Sequence, residues 1–171
     1  MKLSSADIAA IVNGEISGRG DLIVSDVVTD TRQLSVAEGL VFFALRGKNH
    51  DGHSFIDSLF QRGIRVFVVA RLPESHHNYN DVSFIVVGDT VDALQKLAAF
   101  YRKSFKSPVI AITGSAGKTV VKEWLADILG LTTPVIRSPK SYNSQIGVPL
   151  SVLKLDDKYK LGIFEAGISL P

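Results

Sequence analysis

The stretch AITGSAGKTVVKEWLADIL, residues 111–129, constrains the fold more than any other part of the chain. An apolar run leads into small residues, and a helical pattern follows at once. Gly114, Ser115, Ala116 and Gly117 carry no bulky side chain, so their backbone N–H groups can converge on an anion. Lys118 then extends toward the phosphates of a nucleotide, and the Thr119 hydroxyl is placed to ligate Mg2+. Behind the loop, Val121, Trp124, Leu125, Ile128 and Leu129 recur at helical spacing. That stripe predicts a helix anchored on a sheet, with Trp124 in the core and the helix dipole aimed at the anion. The alternative is a glycine-rich strand-to-helix turn whose lysine faces solvent; strand, loop and helix in register favour the nucleotide site. One anomaly stands out. The usual phosphate loop has a glycine five residues before its last glycine, and that position here is Ile112.

A site of this type also wants an acid at the end of a neighbouring strand, to hold Mg2+ directly or through water. LGIFEAG, residues 161–167, offers Glu165 after mostly apolar residues. Read alone, a surface glutamate at a strand end is common; beside the loop, the metal-binding reading is favoured.

The rest of the chain places this motif second in a two-part arrangement. With 171 residues, 46% apolar and 21% charged, the chain has material for a buried core in one ordinary or two small domains. A net charge of +2 gives no argument for nucleic acid or an anionic membrane. No apolar run approaches the ~18 residues of a membrane span, and the absence of cysteine excludes disulfides and thiolate metal sites. The start MKLSSADIAAIVNG lacks a signal-peptide core, so the cytoplasm is the expected compartment.

Ser4 or Ser5 should cap a short first helix that stops at Gly14, followed by a strand over about 22–28. LVFFAL, RVFVVA and SFIVV read as further strands, with a helix from Ser54 between the first two and a longer helix capped by Thr90 after the last. KSFKSP, residues 103–108, marks a boundary, giving domains 1–105 and 106–171. After it comes a βαβαβ sketch: strand 109–113, helix 118–130, strand 134–137, helix 147–153 and strand 161–165. Alternation of this kind predicts a parallel sheet. A three-stranded covered sheet is small, so the second part reads as the incomplete start of a larger domain.

TGSAGKT resembles the shortened ATP loop of the Mur ligases, which reads T-G-[ST]-x-G-K-[ST]; in that family the position of Ile112 needs no glycine. TDTRQLSVAEGLVFFALRGKNHDGHSFI is similar to the N-terminal domain that holds the UDP sugar in these enzymes. TVVKEW and NSQIGVPLSVL resemble the branch that adds D-alanyl-D-alanine. SYNS and EAGIS depart from that branch's usual motifs, at Ser141 and Ser144 among others, and look like the version fused to an alanine racemase.

The resemblance implies an α/β fold: a small N-terminal UDP-binding α/β domain followed by the truncated start of a P-loop parallel-sheet ATPase domain. It implies ATP and Mg2+, with UDP-MurNAc-tripeptide and D-alanyl-D-alanine as substrates, joined through an acyl phosphate. Gly114, Ser115, Ala116, Gly117, Lys118 and Thr119 would bind the nucleotide. Lys118 and Glu165 would be catalytic, and Thr119 and Glu165 would hold the metal. Thr31 and Arg32 in TDTR, and Lys48, Asn49 and His50 in GKNHDG, would bind the UDP moiety; on residue type alone both loops read equally well as solvated turns. Asn143 would contact substrate. A carbamylated lysine, a metal-binding histidine and a C-terminal domain would lie outside this sequence, so the fragment alone should not ligate. Two other readings stay open here: a UDP-sugar module that only binds, and an unrelated P-loop kinase or NTPase. His76 and His77, adjacent in a polar loop, read as solvated and not as metal ligands.

Overall fold

The computed structural model describes residues 2–30, 37–47 and 50–167. They form two compact units, Met1–Leu97 and Ala98–Pro171.

In the first unit, β1 (Leu3–Ser4) leads into α1 (Ser5–Val12), followed by β2 (Glu15–Gly18), β3 (Ile23–Val24) and β4 (Asp26–Val28). Next come β5 (Leu40–Phe43), α2 (Ile56–Gln61), β6 (Val66–Val69), β7 (Ser83–Val86) and α3 (Thr90–Ser104), the last straddling the division between the units. Ser4 caps α1 through a reciprocal box: its Oγ accepts from the Asp7 backbone, and the Asp7 carboxylate accepts from the Ser4 N–H. The left-handed residue that ends the helix is Asn13, one position before the expected Gly14.

The main sheet has five strands in the order β2-β7-β6-β5-β4, parallel except for β2, which runs antiparallel to β7 at the edge. Register aligns Phe42 with Phe67 and Phe67 with Phe84 on one face, and Phe43 with Val68 and Val68 with Ile85 on the other. All six are buried, as a parallel sheet covered on both faces requires. The Phe67 and Phe84 rings stack at 5.4 Å, and Phe42 meets Phe67 edge-on at 6.4 Å.

Two expectations need correction here. The strand over 22–28 is broken at Ser25, whose N–H and hydroxyl both donate to the Gly39 carbonyl. β3 therefore pairs with β1, and β4 joins the main sheet. At α3 the cap is Asp89, which accepts from the N–H groups of Val91 and Asp92, while the Thr90 hydroxyl donates to the Ala44 carbonyl.

The second unit follows the sketch closely. β8 (Val109–Ile112), α4 (Lys118–Gly130), β9 (Val135–Arg137), α5 (Gly147–Val152) and β10 (Leu161–Glu165) alternate along the chain. The three strands are parallel in the order β8-β10-β9, so the last strand lies in the middle. That order brings the C-terminal end of β10 beside the end of β8, with Glu165 aligned on Ile112. Phe105, Leu155 and Phe164 form its apolar cluster, with Val109, Ile136 and Val152 against it.

The face that α4 turns to the sheet differs from the predicted stripe. Lys122 and Ala126 are buried and Leu125 and Leu129 half-buried, while Val121, Ile128 and Trp124 are exposed. Trp124 is 67% exposed and so is not a core residue in this chain. Two helical stripes overlap in this sequence, and the more apolar one faces solvent.

Candidate nucleotide site

β8 ends at Ile112, whose carbonyl accepts from the Ala166 N–H at 2.9 Å. The loop therefore begins only after Ile112. Its left-handed turns fall at Gly114, φ 145°, and Gly117, φ 76°. A glycine at 112 has no task, because that residue is still in the strand and the reversal is made two residues later. Gly117 is the N-cap of α4 and supplies no side-chain hydrogen bond. The first N–H groups of this helix have no partner one turn back, and no cap side chain competes for them. Ser115 and Ala116 are exposed beside them. Lys118 folds across the loop, its Nζ donating to the Gly114 carbonyl at 2.6 Å. A phosphate entering the cradle would offer this ammonium a charged acceptor in place of a neutral one.

Glu165, almost fully buried at the end of β10, stands opposite the start of α4. Its Oε2 accepts from the Thr119 hydroxyl at 2.7 Å, and its Oε1 accepts from Asn143 Nδ2 at 2.6 Å. Its backbone N–H donates to the buried Ser138 hydroxyl at 3.2 Å. The turn bearing Asn143 is held from both sides: the Asn143 carbonyl accepts from the Gly167 N–H, and Gly147 N–H donates to the Ser144 hydroxyl. Burial pushes the Glu165 carboxyl up. The Thr119 and Asn143 hydrogen bonds, joined by the charges of Lys122 and Lys118, outweigh it and hold the group below its usual range. Glu165 is thus an ionised carboxylate at neutral pH.

The donor set fits a small hard cation. Hydroxyl and carboxylate oxygens suit Mg2+, and two oxygens bound at about 2.1 Å in neighbouring octahedral positions lie about 3.0 Å apart. Thr119 Oγ1 and Glu165 Oε2 stand 2.7 Å apart, close enough that both would be able to hold one such ion. The loop N–H groups and Lys118 likewise suit a polyphosphate.

Of the residues singled out in the sequence, Gly114, Ser115, Ala116, Gly117, Lys118, Thr119, Asn143 and Glu165 converge on one end of the small sheet. His50 is exposed in the first unit; its carbonyl accepts from the Gly47 N–H, and the backbones of Arg46 and Asp51 form an isolated antiparallel β-bridge. Thr31, Arg32, Lys48 and Asn49 lie outside the described residues. His53 is the second residue of a short 3-10 turn (Gly52–Phe55), its Nδ1 2.6 Å from Asp51 Oδ1 and its Nε2 accepting from the Ala70 N–H. His76 and His77 lie in another such turn, with ring centroids 3.7 Å apart. Sequence reasoning missed Lys122 and Ser138, both buried beside the site. A lysine one turn after Lys118, in line with Ala126 and Leu129, is the signal that could have found the first.

Comparison with known proteins finds matches along both units. Residues 24–102 match the Mur ligase family, catalytic domain, and residues 112–170 the Mur ligase middle domain. A UDP-N-acetylmuramoyl-tripeptide–D-alanyl-D-alanine ligase from Buchnera aphidicola is 37% identical over 171 residues, covering 100% of this chain and 36% of the relative. Among solved structures, MurF from Acinetobacter baumannii superposes with a TM-score of 0.87 at 28% identity, covering 98% of this chain and 36% of its own. The MurF ligase from Thermotoga maritima in complex with ADP gives 0.74 at 30% identity, covering 86% and 33%. The chain thus spans about a third of the length of these relatives. Two matches to one family, together running across both units, carry the conclusion: the chain belongs to the Mur ligase family.

Proposed function

We propose that this chain is the N-terminal part of an ATP-dependent ligase that adds D-alanyl-D-alanine to UDP-MurNAc-tripeptide, a cytoplasmic step of peptidoglycan precursor synthesis. The observation that carries the nucleotide half is the meeting of Thr119, Asn143 and Glu165 beside the 113–118 loop. The relatives' names support the substrate half.

A carboxylate is a poor electrophile; transfer of the γ-phosphoryl group of ATP to it, with ADP leaving, would give an acyl phosphate, and attack by an amine would then form the amide and release phosphate and a proton. In this reading the chain's own residues bind and orient. Loop N–H groups hold the phosphates, and Lys118 releases Gly114 to neutralise charge on the transferring group. Thr119 and Glu165 would hold the metal, which would screen charge on the phosphates, and Asn143 would fix the Glu165 carboxylate. Thr31, Arg32, Lys48, Asn49 and His50 hold the UDP moiety in the first unit. The alanine racemase fusion suggested by SYNS and EAGIS belongs to the same proposal.

Residues 1–171 alone are expected to bind and not to turn over, because they span only a third of the relatives. Calorimetry with UDP-MurNAc-tripeptide, paired with a phosphate-release assay in the presence of ATP, Mg2+ and D-alanyl-D-alanine, tests this. Saturable UDP-sugar binding without phosphate release is expected. Failure of the UDP sugar to bind would remove the substrate assignment, and brisk release would overturn the binding-only role of this segment.

A further inference from the structure

Lys122 is fully buried on α4, on the face toward the sheet, where an apolar side chain would be the ordinary choice. Burying an ammonium costs several kcal/mol unless its donors are matched. Here they are matched. Nζ donates to the Ser138 carbonyl at 2.8 Å and to the Lys140 carbonyl, and pairs with Glu123 Oε1 at 3.0 Å. Three donors meet three acceptors. Lys140 adopts a left-handed conformation, φ 48°, uncommon for a residue with a side chain. Its carbonyl is one of the two that the ammonium holds.

These two carbonyls open the turn that ends at Asn143. From there the bonds continue: Asn143 Nδ2 donates to Glu165 Oε1, and Glu165 Oε2 accepts from Thr119 Oγ1. Thr119 lies three residues before Lys122 on the same helix. The bonds therefore close a ring that leaves α4 at Lys122 and returns to it at Thr119. Ser138 adds a second tie, its hydroxyl accepting from the Glu165 N–H. Arg137, just before the turn, also pairs with Glu123 and Asp127 of α4, but those pairs are solvent-exposed; Lys122 is the buried tie between the turn and the helix that carries the proposed nucleotide ligands.

We infer that Lys122 is a positioning residue of the nucleotide site: its buried ammonium anchors the Ser138–Asn143 turn to α4 and so sets where the Asn143 amide meets Glu165. This rests on the nucleotide reading of the loop. Lys122 reaches neither nucleotide nor metal in this role; it acts through Asn143.

The test uses the 171-residue chain and Lys122→Met, which keeps the side chain's bulk and removes the ammonium. In nitrogen–proton spectra recorded without nucleotide or metal, the wild-type Asn143 side-chain amide should exchange slowly with solvent, and in a folded Lys122→Met it should exchange as a free amide. With ADP present, Mg2+ affinity should fall about tenfold or more, as when the partner of a metal ligand is removed. Because the chain has no cysteine, Lys122→Cys introduces a single thiol. Aminoethylation of that thiol in denaturant, followed by refolding, restores an ammonium and should restore both readings.

Either reading left at its wild-type level in a folded Lys122→Met overturns the proposal. So does failure of both uncharged variants to fold when the aminoethylated one does, which would make Lys122 a folding residue only. The amide reading needs no ligand, so a wild-type chain that binds no ADP strikes the nucleotide assignment and leaves the amide reading to decide the role of Lys122.

Discussion

Glu165 is a carboxylate buried at a strand end, and burial alone would favour its neutral form. The Thr119 hydroxyl, the Asn143 amide and the nearby lysine charges reverse that preference, so its folded pKa lies below the usual range. The sign of the pH effect follows. With no metal added, ionised Glu165 contributes stability that is fully present above the ordinary glutamate pKa. It is lost as pH falls below that value through the depressed one. Denaturant midpoints measured across acidic pH should show a shallower acid limb in Glu165→Gln than in wild type; parallel curves would contradict the assignment. Gly167 makes a second point at this scale. A Cβ there would stand 2.7 Å from the Asn143 carbonyl oxygen, a backbone atom with little freedom to yield. Gly167→Ala should destabilise the second unit by about 1–3 kcal/mol, as overpacking typically does, and denaturant unfolding reads it. A loss under 0.5 kcal/mol, about what a surface change costs, would mean that the turn is loose.

At the scale of elements, α4 shows both the reach and the limit of sequence reading. Its existence, its start at Lys118 and its place between two parallel strands follow from the glycine-rich loop and the alternation of patterns. So does the pairing of the loop with Glu165, since an acid at the end of a nearby strand is what the chemistry demands. The packed face did not follow, because Lys122 hides a buried position behind a charged residue type while Trp124 suggests burial that the fold does not give it. β2 was missed for a similar reason: Glu15–Gly18 is short and polar, and it is a strand only because β7 offers an edge. The break at Ser25 depends on the Gly39 carbonyl, fourteen residues away, which no local pattern encodes. Stability measurements on two aromatics check the assignment of faces. Trp124→Ser should change unfolding free energy by no more than about 0.5 kcal/mol, the usual range for a surface site. Phe67→Ala, at the centre of the phenylalanine row, should cost about 3–5 kcal/mol. A Trp124→Ser cost comparable to that of Phe67→Ala would show that the α4 face is covered after all.

For the molecule as a whole, the two units are proposed to divide the work. The first is a mixed five-stranded sheet whose polar loops, including the one that bears His50, are proposed to take the UDP moiety. The second is a three-stranded parallel sheet whose late central strand brings Glu165 beside the glycine-rich loop. Strand order explains how residues 46 apart in sequence, Thr119 and Glu165, come to share a hydrogen bond. Both units match Mur ligase domains, and the chain covers about a third of the relatives, so nucleotide binding is the activity that this segment can be asked to display by itself. The proposed chemistry requires the 113–118 loop to be an anion cradle with Thr119 and Glu165 as the metal ligands beside it. Isothermal titration of ADP into the 171-residue chain, with and without Mg2+, addresses this directly. Saturable one-site binding that weakens without Mg2+ and disappears in Lys118→Ala is the predicted result. An isotherm that is the same in Lys118→Ala as in wild type, or no binding at all, would contradict it.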